Sequence, residues 1–350
     1  SSRRRHTRFR NVTGVQTCAL PICADLSQLS RLPKGASAES FASALDRDPE
    51  LLVHEGVSDA LLALNTATAD DGFVLRIGRG VVVKEPIEVV FIGGLDDRAL
   101  AYHPRNVIRL EDNAAATLVE HHAGLGEGAY FANQVTEIDL ASGARLAHVK
   151  VQAEGKGGYH LSHLRARLDR NATYDSFGLA LGARLSRNEI SVLLAGEGAT
   201  ANLGGAYLMR GEQHADTTGI IEHLVPHTTS TEIFKGVLDD SARAVFQGRI
   251  KVHPKAQKSD GRQLNKTILL SDRAEIDAKP ELEIYADDVK CSHGAAAGEI
   301  DQDQLFYLRS RAIPEADARA MLIQAFLAET VQGVKPELLR DAIEIGRAHV

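Results

Sequence analysis

Apolar and polar residues alternate over short stretches through most of the chain, and this pattern predicts a protein built mainly of β-strands. Between residues 73 and 289 the segments are short, rich in β-branched residues and separated by Gly, Asn or Asp; examples are Ile87–Ile92, Val135–Leu140 and Ala244–Val252. More than a dozen such segments follow one another at intervals of about 10–15 residues, which indicates one all-β domain. A β-solenoid and a large barrel can both accommodate that many strands.

Three features favour the solenoid over the barrel. The segments are short and evenly spaced, the chain has no Trp and no aromatic girdle, and its turns are marked by single Gly residues or by the pairs Asn113-Ala114 and Asn171-Ala172. No strict repeat is visible, so the prediction depends on spacing and turn residues. We expect residues 71–298 to form one parallel solenoid.

Helical patterns flank the β-region on both sides. Residues 38–65 have apolar residues at helical spacing, within a helical N-terminal remnant predicted over 23–70. A C-terminal helical region is predicted over 299–343. It contains a helix at Asp301–Ser310 and a second helix that starts at Pro314, because proline is well tolerated in the first turn.

The composition excludes several classes of protein. No run approaches 18 apolar residues, so no transmembrane helix is predicted. The formal net charge of −7 argues against a nucleic-acid binder, which needs clustered Lys and Arg to neutralise phosphates. Three Cys in 350 residues do not make a disulfide scaffold and indicate a reducing compartment, so we predict a cytoplasmic protein.

Both ends of the sequence look foreign to the protein. Residues 1–22 contain the only basic cluster, and Val12–Ile22 can be back-translated into a common sequencing-library adapter, whose reverse complement matches 344–350. We therefore expect 1–22 and 344–350 to be adapter-derived, 1–22 to be disordered and packed against nothing, and the natural protein to be cut at both ends. Without these segments the chain has 34 basic and 46 acidic residues, a net charge of −12.

Motifs for common enzyme classes are absent or in the wrong context. There is no P-loop lysine motif, so this chain does not hydrolyse ATP by that route. The segment Glu222–His227 resembles a scrambled zincin motif, but Pro226 would break the helix that must present both ligands. The acidic pairs Asp239-Asp240 and Asp287-Asp288 leave a carbohydrate-active β-helix enzyme as an alternative, although adjacent residues on a strand face opposite ways and turn positions explain them better.

Several histidines fall on predicted strands. His121 and His122 are adjacent, and His160 and His163 are three residues apart, so that in each pair the two side chains point to opposite faces. We interpret them as surface or core histidines rather than ligands.

Cys291 and His293 form the remaining candidate metal site. On an extended segment, residues separated by one position point to the same side. A thiolate with an imidazole suits zinc, iron or an iron–sulfur species. Two ligands are too few for a closed site, so any site would be open or shared with another chain. The alternative is a small buried Cys beside a His hydrogen-bonded in a turn, and spacing alone favours that alternative.

The second half of the chain contains five distinctive stretches: Val245–Gly248, Ala256–Asp260, Asn265–Ser271, Pro280–Ala295 and Asp303–Pro314. These stretches resemble the SufB/SufD family, the scaffold subunits of the SUF iron–sulfur cluster assembly machinery. The resemblance is dense over 230–330 and extends more weakly upstream to about Leu64. The run Cys-Ser-His-Gly at 291–294 is most similar to D subunits, whereas B subunits read closer to Cys-Glu-His-Glu and are richer in cysteine.

The resemblance implies a fold and a set of partners. The fold would be a right-handed parallel β-helix flanked by helical regions. The chain would be a non-catalytic scaffold of a SufBCD complex, in which the ATPase SufC docks on the C-terminal helices, here through the apolar stripe of Met321, Leu322 and Phe326.

The resemblance also implies where the chemistry takes place. A transient iron–sulfur cluster would assemble at the interface with SufB, with His293 and, less strongly, Cys291 contributing from this side. Reduced flavin is associated with such complexes, but the sequence has no flavin-binding motif. A SufB-like homodimeric scaffold is an alternative.

Overall fold

The computed structural model describes residues 13–18, 23–25, 31–52, 59–69, 71–93, 99–124 and 128–331. Two ten-stranded sheets form the body of the molecule. Sheet A contains, in spatial order, β2 (Cys23–Asp25), β1 (Thr13–Cys18), β5 (Ile87–Gly93), β8 (Ala115–Gly124), β10 (Arg145–Ala153), β12 (Thr173–Ala180), β14 (Thr200–Met209), β16 (Thr229–Leu238), β18 (Asp260–Leu269) and β20 (Lys290–Gly298).

Sheet B is the other side of the same solenoid. It contains β19 (Glu275–Ile284), β17 (Arg243–Val252), β15 (His214–His223), β13 (Leu185–Leu194), β11 (Gly158–Leu168), β9 (Tyr130–Leu140), β7 (Arg105–Leu110), β4 (Gly72–Ile77) and β3 (Ala36–Ser40), with β6 (Leu100–Tyr102) beside β9. Four α-helices of the described region flank the sheets: α1 (Phe41–Leu45), α2 (Ala60–Thr68), α3 (Gln302–Ser310) and α4 (Glu315–Val331).

The predicted parallel solenoid is confirmed. From β7 to β20 successive strands alternate between the two sheets, and each pairs in parallel with the strand two positions along the chain. Side chains from both sheets meet between them in a continuous apolar core that includes Leu75, Leu118 and Ile138. Each turn of the solenoid therefore contributes two strands, and inward-facing residues stack in rows along its axis.

The turns follow the predicted residues. Asn113 and Asn171 have φ angles of 57° and 55°, a left-handed conformation that Asn tolerates better than most residues. Gly143 occupies the same kind of position one turn after Asn113, and a Cβ there would lie 2.4 Å from Oδ1 of Asn113. The alanines that follow these residues are completely buried: Ala114, Ala144 and Ala172.

The N-terminal region differs from the prediction in two places. The expectation that residues 1–22 pack against nothing is wrong for Thr13–Cys18, which pair in parallel with β5, whereas residues 1–12 and 19–22 lie outside the described residues. Strand pairing uses backbone groups that every residue carries, so an unpaired edge accepts a segment regardless of its origin. Residues 38–40 belong to β3, which pairs with β4, rather than to a helix. The helical pattern holds from Phe41, which is buried with Ala44.

At the C-terminal end the predicted helices are present. Asp301 caps α3 by accepting hydrogen bonds from the backbone N–H groups of Asp303 and Gln304 at 2.9 and 3.0 Å. α4 lies along the outer face of sheet A, where Leu327 packs on an apolar patch containing Val149 and Phe177. The predicted extension to 343 and the segment 344–350 lie outside the described residues. No helix among the described residues is long and apolar enough to cross a membrane.

Candidate functional site

Cys291 and His293 lie on β20, the last strand of sheet A. In the register of β18 and β20 they are beside Gly261 and Gln263, so both side chains are on the inward-facing side of the sheet. No strand of the described region follows β20, and this end of the solenoid is open. His293 is exposed, whereas Cys291 is half-buried. The structure therefore places both residues on one face at the mouth of the solenoid.

The surroundings of Cys291 are those of a packing residue. Its side chain packs against a small apolar cluster that includes Ile250 and Val252. Burial raises the pKa of the Cys291 thiol, and Asp260 raises it further, although a hydrogen bond with the backbone of Gly261 acts the other way. A raised thiol pKa reduces the fraction of thiolate, which is the form that binds metals. His293 is the more accessible of the two donors.

A polar row leads inward from His293 into the solenoid. Gln263, its neighbour in the register, pairs in turn with Glu232 on β16, and Gln263 Nε2 donates a hydrogen bond to Glu232 Oε2. Both side chains are buried, and Glu232 Oε1 and Gln263 Oε1 have no hydrogen-bond partner among the described residues. Burial raises the pKa of Glu232 to about 7, against the opposing effect of the hydrogen bond from Gln263.

Two glycines on sheet B make room for this row. A Cβ on Gly219 would lie 2.6 Å from Glu232 Oε1, and a Cβ on Gly248 would lie 2.0 Å from Gln263 Nε2. Sequence reasoning missed both polar residues. The signal that could have found them is a Glu and a Gln at inward-facing positions of predicted strands, where apolar residues are expected.

Cys291 and His293 have no third donor in the described part of the chain. No other His, Cys, Asp or Glu among those residues lies close enough to complete a cluster with them. An imidazole and a thiol on an open edge can bind a metal or a cluster only as part of a site that another molecule completes.

The last turn of the solenoid also leaves apolar surface uncovered. Ile284 is 42% exposed and Tyr285 is 60% exposed. They lie at the C-terminal end of β19, which is the last strand of sheet B at this open end. The backbone groups on the outer edges of β19 and β20 have no strand partner among the described residues. Such edges pair readily with another chain.

The three residues of the predicted docking stripe on α4 differ in their exposure to solvent. Leu322 packs against α3 through a cluster with Ile300 and Leu305, and Phe326 packs against the outer face of sheet A. The Lys235 ammonium lies 4.5 Å from the centre of the Phe326 ring and donates to the Phe326 carbonyl at 2.9 Å. Of the three stripe residues, only Met321, which is 48% exposed, presents much of its side chain to solvent.

The more exposed aromatic residues of this region are on α3. Phe306 is 74% exposed and Tyr307 is 55% exposed, with the Arg311 guanidinium 4.5 Å from the Tyr307 ring centre. Both residues lie in the stretch 303–314 that carries the family resemblance, but nothing in their spacing distinguished them from core residues. Phe306, Tyr307 and Met321 are the exposed large apolar side chains of the described parts of α3 and α4, and we refer to them as the apolar surface of the C-terminal helices.

A second polar group of side chains is enclosed between the sheets. Glu120 Oε1 lies 3.1 Å from His148 Nε2, and Glu120 Oε2 lies 3.3 Å from His122 Nε2. Glu154 Oε2 lies 2.9 Å from His160 Nδ1. Burial alone would raise the pKa of Glu120, but the neighbouring histidines outweigh it and hold that pKa well below its usual range. Burial lowers the pKa of His122 to about 4.

The histidine pairs point to opposite faces, as the alternation predicts. His122 and His160 face inward and form an edge-to-face contact, with ring centres 4.8 Å apart. His163 faces outward and is covered by α2, close to Asp59. His122 and His160 are core histidines, as interpreted from the sequence.

Comparison with known families agrees with this architecture. The model of the SUF system FeS cluster assembly SufBD core domain matches residues 92–326, and the model of the SufBD protein N-terminal region matches residues 22–89. The core-domain match begins at the end of β5 and includes α3 and most of α4, so it contains Cys291, His293 and the apolar surface of the C-terminal helices.

Individual relatives are similar over most of this chain. The iron–sulfur cluster assembly protein SufD of Escherichia coli is 34% identical over 296 residues, which is 83% of this chain and 70% of that protein. A SufBD-family iron–sulfur cluster assembly protein of Synechocystis is 31% identical over 324 residues, 89% of this chain and 71% of its own length. SufD of Bacillus subtilis is 30% identical over 289 residues, 80% of this chain and 65% of that protein.

Proposed function

The chain belongs to the SufBD family of SUF-system iron–sulfur cluster assembly proteins, and we propose on this basis that it acts as a SufD-like scaffold subunit. In this role it pairs with SufB, docks the ATPase SufC and contributes to the assembly of a nascent cluster in the cytoplasm. The cluster is cargo of the complex rather than a resident cofactor of this chain. The chain itself catalyses no reaction, and ATP hydrolysis belongs to SufC.

One observation carries the proposal: His293 is an exposed donor on an edge strand, with a single potential co-ligand beside it. A closed structural metal site has four ligands, whereas the described residues offer at most two here. An exposed half-site at the mouth of the solenoid suits a cluster that must be built and then released, with the remaining ligands supplied by SufB.

The open end of the solenoid is the surface that we assign to SufB. Exposed Tyr285 and Ile284 supply apolar area there, and the outer edges of β19 and β20 supply backbone donors and acceptors. A partner that adds strands to these edges covers the apolar side chains and brings its own ligands close to His293.

The surface of α3 and α4 is the one that we assign to SufC. Phe306, Tyr307 and Met321 are exposed there, while Leu322 and Phe326 serve mainly to hold α4 in place. Deleting the segment 314–343 would uncover the apolar patch beneath Leu327, so point substitutions at exposed positions are the better test of docking.

The test of cluster assembly is co-expression of this chain with its cognate SufB and SufC, followed by anaerobic purification and analysis of iron and sulfide. We expect His293→Ala to leave the complex assembled and to lower its iron and sulfide content by about tenfold or more, because loss of even an outer-shell partner of a metal ligand costs about 10–100-fold in affinity. The matched control is His253→Ala, because His253 is a partly exposed histidine on a solenoid turn, hydrogen-bonded to Glu222 at 2.8 Å.

Two results would contradict the proposal. One is a His293→Ala complex with the cluster content of the unsubstituted complex. The other is a chain that forms only homodimers when SufB is present, which would favour the SufB-like alternative.

A further inference from the structure

A second group of potential metal ligands lies on the outer face of sheet B, away from the edge strand that carries His293. Asp59, His163 and Glu189 come from three separate parts of the chain, and each offers one ligand atom within 4.8 Å of the other two. We propose that these residues form a binding site for one divalent first-row transition-metal ion, with Asp59 and His163 as direct ligands and Glu189 as the residue that orients the imidazole.

Local structure explains why the three side chains meet. His163 and Glu189 are direct neighbours in the register of β11 and β13, and both point outward. Asp59 is the N-cap of α2, which packs on the same face of sheet B, and its Oδ1 accepts hydrogen bonds from the backbone N–H groups of Leu61 and Leu62 at 2.8 and 2.9 Å.

The hydrogen bond of the histidine fixes which nitrogen is free. Nδ1 of His163 lies 3.1 Å from Glu189 Oε2, so in the neutral ring Nδ1 carries the proton and Nε2 carries the lone pair. A carboxylate behind a histidine in this way raises the basicity of the free nitrogen and is typical of metal-bound histidines.

The free nitrogen faces a second carboxylate across a gap of suitable width. His163 Nε2 and Asp59 Oδ1 are 3.9 Å apart, too far for a hydrogen bond. Metal bonds to imidazole nitrogen and to carboxylate oxygen are about 2.0–2.2 Å long, so one ion can bridge the two atoms, and an approach of the two side chains by about 0.5 Å gives the separation of tetrahedral coordination. In the neutral ring without a cation, the Nε2 lone pair would face a carboxylate oxygen across this gap.

The charges around the histidine favour a cation. The carboxylates of Asp59, Glu189 and Asp216 share the guanidinium of Arg187, which binds Glu189 Oε1 at 2.7 Å and lies 3.4 Å from Asp216. Two further guanidinium groups line the same cleft: that of Arg249 is engaged by the carboxylates of Glu281 and Glu283, and that of Arg165 is exposed to solvent.

An open cleft of about 320 Å³ lies beside the three residues. Its lining includes Thr218 and Gln247 as well as Asp59, His163 and Glu189. The cleft gives an ion access from solvent and leaves room for the water molecules that complete its coordination shell. One imidazole with carboxylate oxygens suits Zn²⁺, Fe²⁺ or Mn²⁺ rather than Cu⁺ or a thiolate-bound cluster.

The test uses the full chain, stripped with a chelator, and Zn²⁺ as the probe. Calorimetric titration measures the affinity, and anomalous diffraction from Zn²⁺-soaked crystals locates the ion. We expect a peak between His163 and Asp59, and a loss of affinity of at least about tenfold in Asp59→Asn and in His163→Ala. Asn is as good an N-cap as Asp, so Asp59→Asn keeps α2 capped while it removes the charge.

Two control variants separate this site from the others. His253→Ala removes a histidine that is hydrogen-bonded to the carboxylate of Glu222, and His293→Ala removes the proposed cluster ligand; both should bind Zn²⁺ at the Asp59 site as the unsubstituted chain does. The proposal is overturned if Asp59→Asn retains full affinity, or if the anomalous peak lies elsewhere. Either result leaves the role proposed for His293 untouched.

Discussion

His293 lies directly beside Gln263 in the parallel register of β18 and β20, and it is the exposed end of a row that continues through Gln263 to the buried Glu232. The proposed cluster ligand is therefore the outermost member of a polar row rather than an isolated surface histidine. The innermost member has an unusual protonation equilibrium, since burial raises the pKa of Glu232 to about 7.

The first prediction concerns stability against pH. Because the pKa of Glu232 is about 7 in the folded state and near 4.5 in the unfolded state, the folded chain holds the extra proton between these values. Stability from this group is fully present below pH 4.5 and is lost as the pH rises to 7, by about 3 kcal/mol. Glu232→Gln should remove this loss, as measured by urea unfolding at pH 5 and pH 8. Equal pH dependence in the two proteins would contradict the assignment.

The second prediction concerns the space for that row. Gly248→Ala should destabilise the chain by about 1–3 kcal/mol, because the new Cβ would lie 2.0 Å from Gln263 Nε2 in a packed interior. The matched control is Gly178→Ala, at an inward-facing strand glycine where an added Cβ would have no atom within 4 Å. This substitution should leave stability unchanged or raise it by up to about 1 kcal/mol, because alanine restricts the unfolded chain more than glycine does. Thermal unfolding of both variants measures the two changes in stability, and equal losses of stability would contradict the prediction.

The third prediction concerns acid sensitivity. His223 is buried between the hydroxyl groups of Thr228 and Ser230, at 2.8 and 2.9 Å, and burial lowers its pKa to about 4. The unfolded chain binds the proton more tightly, so stability is lost as the pH falls from 6.5 to 4, by up to about 3 kcal/mol. His223→Gln should lose less stability over this window in denaturant titrations at pH 7 and pH 4.5. A steeper loss in the variant would be inconsistent with a neutral buried imidazole.

The fourth prediction separates the two proposed interfaces. Phe306→Asp on α3 should weaken SufC binding and leave SufB pairing intact, whereas Tyr285→Asp at the open end of the solenoid should do the reverse. Each serves as the control for the other, because both side chains are more than half exposed and neither substitution should change the stability of the isolated chain by more than about 0.5 kcal/mol. Pull-downs with tagged SufB and tagged SufC measure both effects. If either substitution weakens binding to both partners, or leaves binding to both unchanged, the assignment of surfaces is wrong.

The fifth prediction ranks the two donors at the mouth of the solenoid. Cys291→Ser should lower the cluster content of the co-expressed complex less than His293→Ala does. The reason is that the Cys291 thiol is half-buried with a raised pKa, whereas the His293 imidazole is exposed. Iron and sulfide analysis of the two complexes, purified side by side, provides the comparison. A larger loss in Cys291→Ser would reverse the ranking.

The architecture and the family of this protein can be predicted from its amino-acid sequence alone. Short β-branched segments with Asn or Gly at regular turns predict a parallel solenoid, because strand alternation and left-handed turn residues are local properties. The same local alternation places Cys291 and His293 on one side of a strand. Family resemblance over residues 230–330 then supplies the functional context, which no spacing of two residues could supply.

Contacts across the sheets, and the way the helices are used, follow only from the tertiary structure. Glu232 and Gln263 are 31 positions apart, and Asp59 lies about a hundred positions before His163, so no sequence window brings them together. The packing of α4 on α3 and sheet A likewise buries Leu322 and Phe326, two of the three residues of the predicted docking stripe. The amphipathic pattern alone does not show whether such residues face the protein or a partner. Burial, pairing and shifted pKa values arise from such long-range contacts, because they depend on the solvent and the charges around a group in space rather than along the chain.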